Sequence, residues 1–264
     1  MINELRATGL SHAYSTPAPG PFGRRGRVAA LTDVSCTLAR GDTVGLVGQS
    51  GSGKSTLLRV LLALETPTRG GLHLGDTPVQ AGNTRSLRWF RRRVQYIPQD
   101  PAASLEPRMT VEQLVREPLA RLGVPGDHRA LVREALDSVG LCGSLATKRP
   151  RELSGGQAQR VALARGIVAG PDFLLADEPV SGLDLPMRNQ ILALLEALAR
   201  DRSLGLVFVS HDLDAVGRLC ARSLVLSEGR IVEQGPTDRL LAAPEHEATR
   251  ALVDAIPRLK SPRS

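Results

Sequence analysis

Aromatic side chains make up only 3% of the 264 residues, too few for a stacking platform that would hold single-stranded nucleic acid. Cysteine is as scarce. Cys36, Cys142 and Cys220 are odd in number and far apart, without a C-x-x-C pair. This argues against a disulfide framework or a zinc site and fits a reducing compartment. No run approaches the roughly 20 apolar residues of a membrane span, and the first segment, "MINELRATGL", is charged and lacks an apolar leader. A cytoplasmic protein is expected, one that reaches a membrane only through a partner. Lysine occurs three times, at Lys54, Lys148 and Lys260, against 31 arginines. The net charge of +7 is compatible with nucleic acid, anionic lipid or a phosphorylated ligand. Because the basic residues run along most of the chain, it reads first as arginine-rich composition on a solvated surface.

What is present is an ordinary globular composition, 42% apolar and 23% charged, long enough for one or two domains. "LRATGLSHAY", "DVSCTL", "TVGLVG", "VQYI", "DFLLAD" and "LGLVFVS" carry strand signals, and "RSLVLSEGRIVEQG" predicts a hairpin turning at Glu228-Gly229. "KSTLLRVLLALE", Arg85–Arg93, the stretch after Ser154 and "MRNQILALLEALAR" read as helices, and "TPTRGG" as a turn. Ser15–Val28 is a Pro/Gly/Arg loop. Between Thr110 and Lys148 two helical patterns follow one another, the second capped by Asp127. Strand–helix alternation around this insert predicts an α/β fold with a mostly parallel sheet covered on both faces.

Three stretches carry chemistry. "GQSGSGKST" (Gly48, Gln49, Ser50, Gly51, Ser52, Gly53, Lys54, Ser55, Thr56) fits G-x-x-x-x-G-K-[ST] between a strand and a helix. Its glycines free the backbone N–H groups for a phosphate at a helix N-terminus. Lys54 should neutralise the β- and γ-phosphates of ATP, and Ser55 should ligate Mg²⁺. "FLLADEP" ends a buried strand in two acids. Asp177 is placed to hold Mg²⁺, and Glu178 to deprotonate an attacking water; as a pair without the phosphate loop they would read as caps of the next helix. "LSGGQAQR" opens a second helix with Ser154 as N-cap and with Gly155 and Gly156 behind it, another terminus suited to a phosphate.

The last pattern resembles the signature motif of ATP-binding-cassette (ABC) ATPases, and further motifs follow in that family's order. Gln99 after "VQYI" matches the Q-loop, a site for Mg²⁺ and the γ-phosphate. Ser181, Gly182, Leu183 and Asp184 match the D-loop, His211 after "VFVS" the switch histidine, and Tyr14 the aromatic under adenine. The resemblance implies a P-loop NTPase ABC-ATPase fold with a mostly parallel core sheet, an antiparallel β region and a helical subdomain. Residues 1–264 would form one such domain, with the helical subdomain at about 100–160 and a helical tail at 236–264. It implies catalysis by Glu178, His211, Gln99 and Lys54, with ATP and Mg²⁺ bound. Two domains would pair head to tail, so that Leu153, Ser154, Gly155, Gly156 and Gln157 act on the partner's ATP.

"QDPAASLEPRMT", "KRPRELSGGQAQR" and "PEHEATRALVDAIP" are similar to the peptide/nickel importer branch, and "GLSHAY" and "SGLDLPM" look most like its nickel-transport ATP-binding subunit. Ala248 stands where this branch usually has tyrosine, and "LDLPMRNQ" departs from its usual "LDVSVQAQ". The five histidines have no ligand spacing, so the cargo stays open between nickel, peptides and chelates. The branch implies a second ATP-binding subunit, in a heterodimer rather than a homodimer, and two integral-membrane permeases. It also implies a solute-binding protein met indirectly, no nucleic acid, and a peripheral place on the cytoplasmic face of the inner membrane. The alternative is the ATPase of a soluble complex such as phosphonate C–P lyase. A translation or DNA-repair protein would need tandem cassettes or a long coiled coil, and a P-loop kinase would leave "LSGGQ" without a job. The irregular stretch "YIPQDPAASLEPRMT" would link Gln99 to the helical insert and to the permease beyond it.

Overall fold

The computed structural model describes residues 4–15 and 26–255. The elements in chain order are β1 (Glu4–Ser15), β2 (Arg27–Ala39), β3 (Thr43–Val47), α1 (Lys54–Leu61), β4 (Arg69–Leu74), β5 (Thr77–Val79), α2 (Arg88–Arg93) and β6 (Val94–Ile97). Then follow α3 (Val111–Leu122), α4 (His128–Ser138), α5 (Gly155–Ile167), β7 (Phe173–Asp177), α6 (Leu185–Asp201), β8 (Gly205–Val209), α7 (Leu213–Leu219), β9 (Arg222–Ser227), β10 (Arg230–Pro236), α8 (Thr237–Ala242) and α9 (Glu247–Asp254).

Six strands in the order β10-β9-β3-β8-β7-β6 form the main sheet. All of its pairs are parallel except β9–β10. Two apolar layers sandwich it, and period-two alternation assigns the side chains between them. Phe173, Leu175, Val207 and Val209 turn to one layer, with α1 and the small sheet. Leu174, Ala176, Leu206 and Phe208 turn to the other, with the helices α3 to α7. The parallel strands are thus apolar on both faces because both are covered. Ile191 of α6 is fully buried in the second layer. Ile191→Val should lower stability by about 0.5–1.5 kcal/mol, as one methylene of packing is lost; chemical denaturation measures it.

The second sheet is antiparallel, in the order β2-β1-β4-β5. "TPTRGG" is not only a turn: Arg69, Gly70 and Gly71 begin β4. Two adjacent glycines hide a strand from propensity, yet Gly70 is required there. A β-carbon on it would lie 2.4 Å from the carbonyl oxygens of Thr8 and Gly9 on β1. Helix α1 stops at Leu61, short of "KSTLLRVLLALE", because Ala63 turns left-handed (φ 50°) and the N–H groups of Leu64 and Glu65 bond back to the Arg59 carbonyl. In the Ser15–Val28 loop, Ser15, Arg27 and Val28 prove to be strand residues, Tyr14 pairing with Val28 and Ser15 with Arg27; residues 16–25 lie outside the described residues.

The Glu228-Gly229 turn forms as expected, both residues having positive φ (48° and 73°), the type I′ condition that suits the strand twist. Asp127 caps α4 through the N–H groups of Arg129 and Ala130. Residues 98–110 contain no helix or strand. They are nonetheless tied down, since Arg165 of α5 donates to the Ser104 carbonyl at 3.0 Å and to its hydroxyl at 2.6 Å, and Leu105 is buried.

Candidate functional site

The site forms where β3, β7 and β8 end, at the carboxyl edge of the main sheet. Strand β3 delivers Val47, the loop Gly48–Gly53 follows, and α1 starts at Lys54. Two glycines are dictated by neighbouring backbone. A β-carbon on Gly48 would sit 2.2 Å from the Leu226 carbonyl oxygen, and one on Gly53 would sit 2.6 Å from that of Ala30. The β9–β10 turn closes on the loop from behind: Gly229 N–H donates to the Ser52 carbonyl at 2.9 Å. Helix α1 has no side-chain cap, so its first N–H groups stay available to an anion. Lys54 Nζ donates to the carbonyls of Gly48 at 2.7 Å and Gln49 at 2.8 Å. Burial pulls its pKa down from the ordinary lysine value, and the charges of Glu178 and Asp177 push it back up. Gln49, Ser50, Gly51 and Ser55 are exposed, while Thr56 is buried.

The acids come from the end of β7. Asp177 is its last residue, and Glu178 follows with φ 45°, its N–H bonded to the Val209 carbonyl of β8 at 2.9 Å. A left-handed non-glycine residue at this point costs on the order of 1 kcal/mol, and the bond to Val209 holds it in place. Two distant motif residues meet at its carboxylate. His211 Nδ1 lies 3.1 Å from Glu178 Oε1, and Gln99 Nε2 donates to Oε2 at 3.4 Å. Beside it, Tyr96 O–H donates to Asp177 Oδ2 at 3.2 Å. Burial raises the pKa of Asp177 above the usual carboxylate value; the Glu178 charge adds to this, while the Tyr96 hydrogen bond and Lys54 oppose it.

The expected adenine aromatic, Tyr14, sits at the end of β1 and is 40% exposed. Its hydroxyl donates to Glu65 Oε2 at 2.7 Å and approaches Thr56 Oγ1 at 3.4 Å, while His12 packs edge-on at 4.8 Å. Glu65 also meets His12 and Arg59. Neither His12 nor Glu65 was expected from the sequence; only the shared strand with Tyr14 hinted at His12.

Ser154 caps α5 in a reciprocal box with Gln157: its hydroxyl accepts from Gln157 N–H at 3.3 Å, and Gln157 Oε1 accepts from Ser154 N–H at 3.0 Å. Leu153 is half-buried, Ser154 and Gly155 are exposed, and Gly156 is buried against Met187. Among the described residues no hydrogen bond joins this helix start to the phosphate loop of the same chain. Ser181, Gly182 and Asp184 are exposed too, with Leu183 between them half-buried. Asp184 caps α6, and Ser181 N–H bonds the Glu178 carbonyl at 3.0 Å. A link missed in the sequence joins the two segments: buried Gln159 of α5 donates to the Pro179 carbonyl at 2.6 Å.

The residues present suit a nucleotide with magnesium. The uncapped α1 terminus and Lys54 match a polyphosphate. Ser55, Gln99 and Asp177 offer hard oxygen donors with a single carboxylate, the kind of set on which Mg²⁺ keeps several waters. Among the described residues no group of three or more His, Cys, Asp and Glu side chains could hold a metal ion, and no helix is long and apolar enough to cross a membrane.

The family model described as ABC transporter matches residues 31–181. A putative peptide import ATP-binding protein of Brucella ovis is 42% identical over 255 residues, covering 96% of this chain and 78% of that protein. The dipeptide transport ATP-binding protein DppF of Haemophilus influenzae is 38% identical over 258 residues, covering 97% and 78%. Among solved structures, CbiO1 of Clostridium perfringens, part of the ABC transporter complex CbiONQ, superposes with a TM-score of 0.78 at 28% identity over 98% of this chain and 97% of that one. The dimeric cassette MJ0796 bound to ADP and Pi gives 0.75 at 27% identity, covering 88% and 98%. The chain belongs to the ABC transporter family and is one of its ATP-binding, ATP-hydrolysing subunits.

Proposed function

We propose that this chain powers a peptide importer, with Glu178 as the base that activates the attacking water. The observation that carries the residue assignment is the convergence of Gln99 and His211 on the Glu178 carboxylate. His211 and Gln99 hold that carboxylate in place, and Lys54 with the α1 terminus binds the triphosphate. Tyr14 offers an aromatic face to the base. Ser55, Gln99 and Asp177 would hold Mg²⁺, which supplies charge to the β- and γ-phosphate oxygens. Exposed Ser154, Gly155, Gly182 and Asp184 with no partner on their own phosphate loop support a head-to-tail pair in which Leu153–Gln157 reaches the partner's nucleotide. Binding that requires the closed pair drives closure, and loss of the γ-phosphate reopens it.

The relatives named above support peptide rather than nickel as cargo, and their import and transport names, with CbiO1 as part of an ABC transporter complex, favour an importer over a C–P lyase complex. The remaining parts of the proposal are a second, unlike ATP-binding subunit, two permeases, a peripheral position on the cytoplasmic face of the membrane, and a helical subdomain at about residues 100–160 that meets the permeases. Ser154→Arg tests the pairing. It should leave ATP binding at its own phosphate loop within about twofold and lower turnover tenfold or more, roughly 1.4 kcal/mol of lost transition-state stabilisation. Full turnover in this variant rejects the head-to-tail site. Uptake of labelled dipeptide should vanish, and uptake of labelled nickel persist, in cells lacking the chain; the reverse result moves the cargo to nickel.

A further inference from the structure

Tyr96 belongs to none of the motifs. Alternation along β6 turns Val94 and Tyr96 to the face of the sheet that also carries Leu175 and Asp177, while Ile97 turns to the opposite layer. The register pairs Tyr96 with Leu175, so Asp177 stands two residues further along β7, about 6.6 Å away at the usual strand rise. A phenol laid along the strand spans that gap, and an aliphatic side chain would fall short of it. The hydroxyl accordingly reaches Asp177 Oδ2 at 3.2 Å. Among the described residues no other side chain is hydrogen-bonded to this carboxylate. The ring is also poorly placed to serve as core filling: it is 36% exposed and lines an open groove of about 410 Å³ together with Leu62, Leu64, Pro118 and Arg121.

We propose that Tyr96 is a positioning residue for Asp177. Its O–H fixes one carboxylate oxygen, stops the group from rotating, and leaves the other oxygen to the magnesium side of the site. A hydrogen bond to an ionised ligand from a neighbouring side chain orients that ligand, and its loss weakens metal binding about 10- to 100-fold. Partial exposure of Tyr96 sets the expectation at the low end. The inference rests on the reading of Asp177 as the magnesium-side carboxylate, so two variants are needed.

The probe is Mn²⁺ added to the full chain with ADP, its free fraction measured by electron paramagnetic resonance. Tyr96→Phe keeps the ring and removes only the hydroxyl. It should raise the Mn²⁺ dissociation constant about tenfold and leave the thermal midpoint within about 4 °C. Asp177→Asn should weaken Mn²⁺ at least as much. If Asp177→Asn weakens Mn²⁺ while Tyr96→Phe binds it within about twofold of the parent, the positioning role is wrong and the reading of Asp177 survives. Loss of thermal stability in Tyr96→Phe with unchanged Mn²⁺ binding also overturns the proposal, because it makes the hydrogen bond purely structural. Unchanged Mn²⁺ binding in Asp177→Asn removes the reading and the proposal together.

Discussion

Glu178→Gln should hydrolyse ATP about 10²- to 10⁴-fold more slowly than the parent chain while still binding it. The substitution preserves the size and planar shape of the side chain. Its amide oxygen can still accept one hydrogen bond where the carboxylate now meets Gln99 and His211. What disappears is the carboxylate proton acceptor; the adjacent carboxylate, Asp177, is engaged by Tyr96. Since the γ-phosphate persists, the closed pair with the unlike ATP-binding subunit should accumulate, visible by light scattering as an ATP-dependent rise from the separate subunits to the mass of the pair. Near-normal turnover in single-turnover assays would reject Glu178 as the base.

Lys54→Ala is the second large effect, and it acts on binding. Removing one member of a desolvated, hydrogen-bonded charge pair costs about 2–5 kcal/mol, hence roughly 30- to 4,000-fold in ATP affinity. The ammonium is half-buried and lies over the carbonyls of Gly48 and Gln49, and the phosphate loop contains no other lysine and no arginine. The loop itself should persist, since its backbone is held by Gly229 and by the close carbonyls of Leu226 and Ala30. Calorimetry with ATP separates the two contributions: an unchanged dissociation constant would mean that backbone N–H groups alone carry the triphosphate.

The site was legible wherever its chemistry is written locally. Gly48 to Thr56, Asp177-Glu178 and Ser154 to Gln157 each sit at an element boundary that short-range pattern reveals: a strand end, a cap or a helix start. What escaped is long-range. Tyr96 lies 81 residues from Asp177 and Tyr14 lies 51 from Glu65, so no window along the chain contains either pair. Gln159 was read as part of a signature, and its 2.6 Å bond to Pro179 depends on how α5 crosses the end of β7. Three elements were hidden. Strand β4 opens with Arg69-Gly70-Gly71, which reads as a turn, β5 has three residues with Pro78 in the middle, and α7 has only seven residues behind an Asp212 cap. The hydrophobic alternation that splits Phe173 and Leu175 from Leu174 and Ala176 was concealed by a run apolar at every position, where period cannot be read.

The β9–β10 turn has one more consequence. Gly229 supports Ser52, and Leu226 stands against Gly48, across more than 170 residues of chain. A nascent polypeptide therefore contains the whole glycine motif long before it contains the strand that moulds it. The contacts that back the phosphate loop, from Gly229 to Ser52 and from Leu226 to Gly48, can form only once the last strands of the sheet have been synthesised.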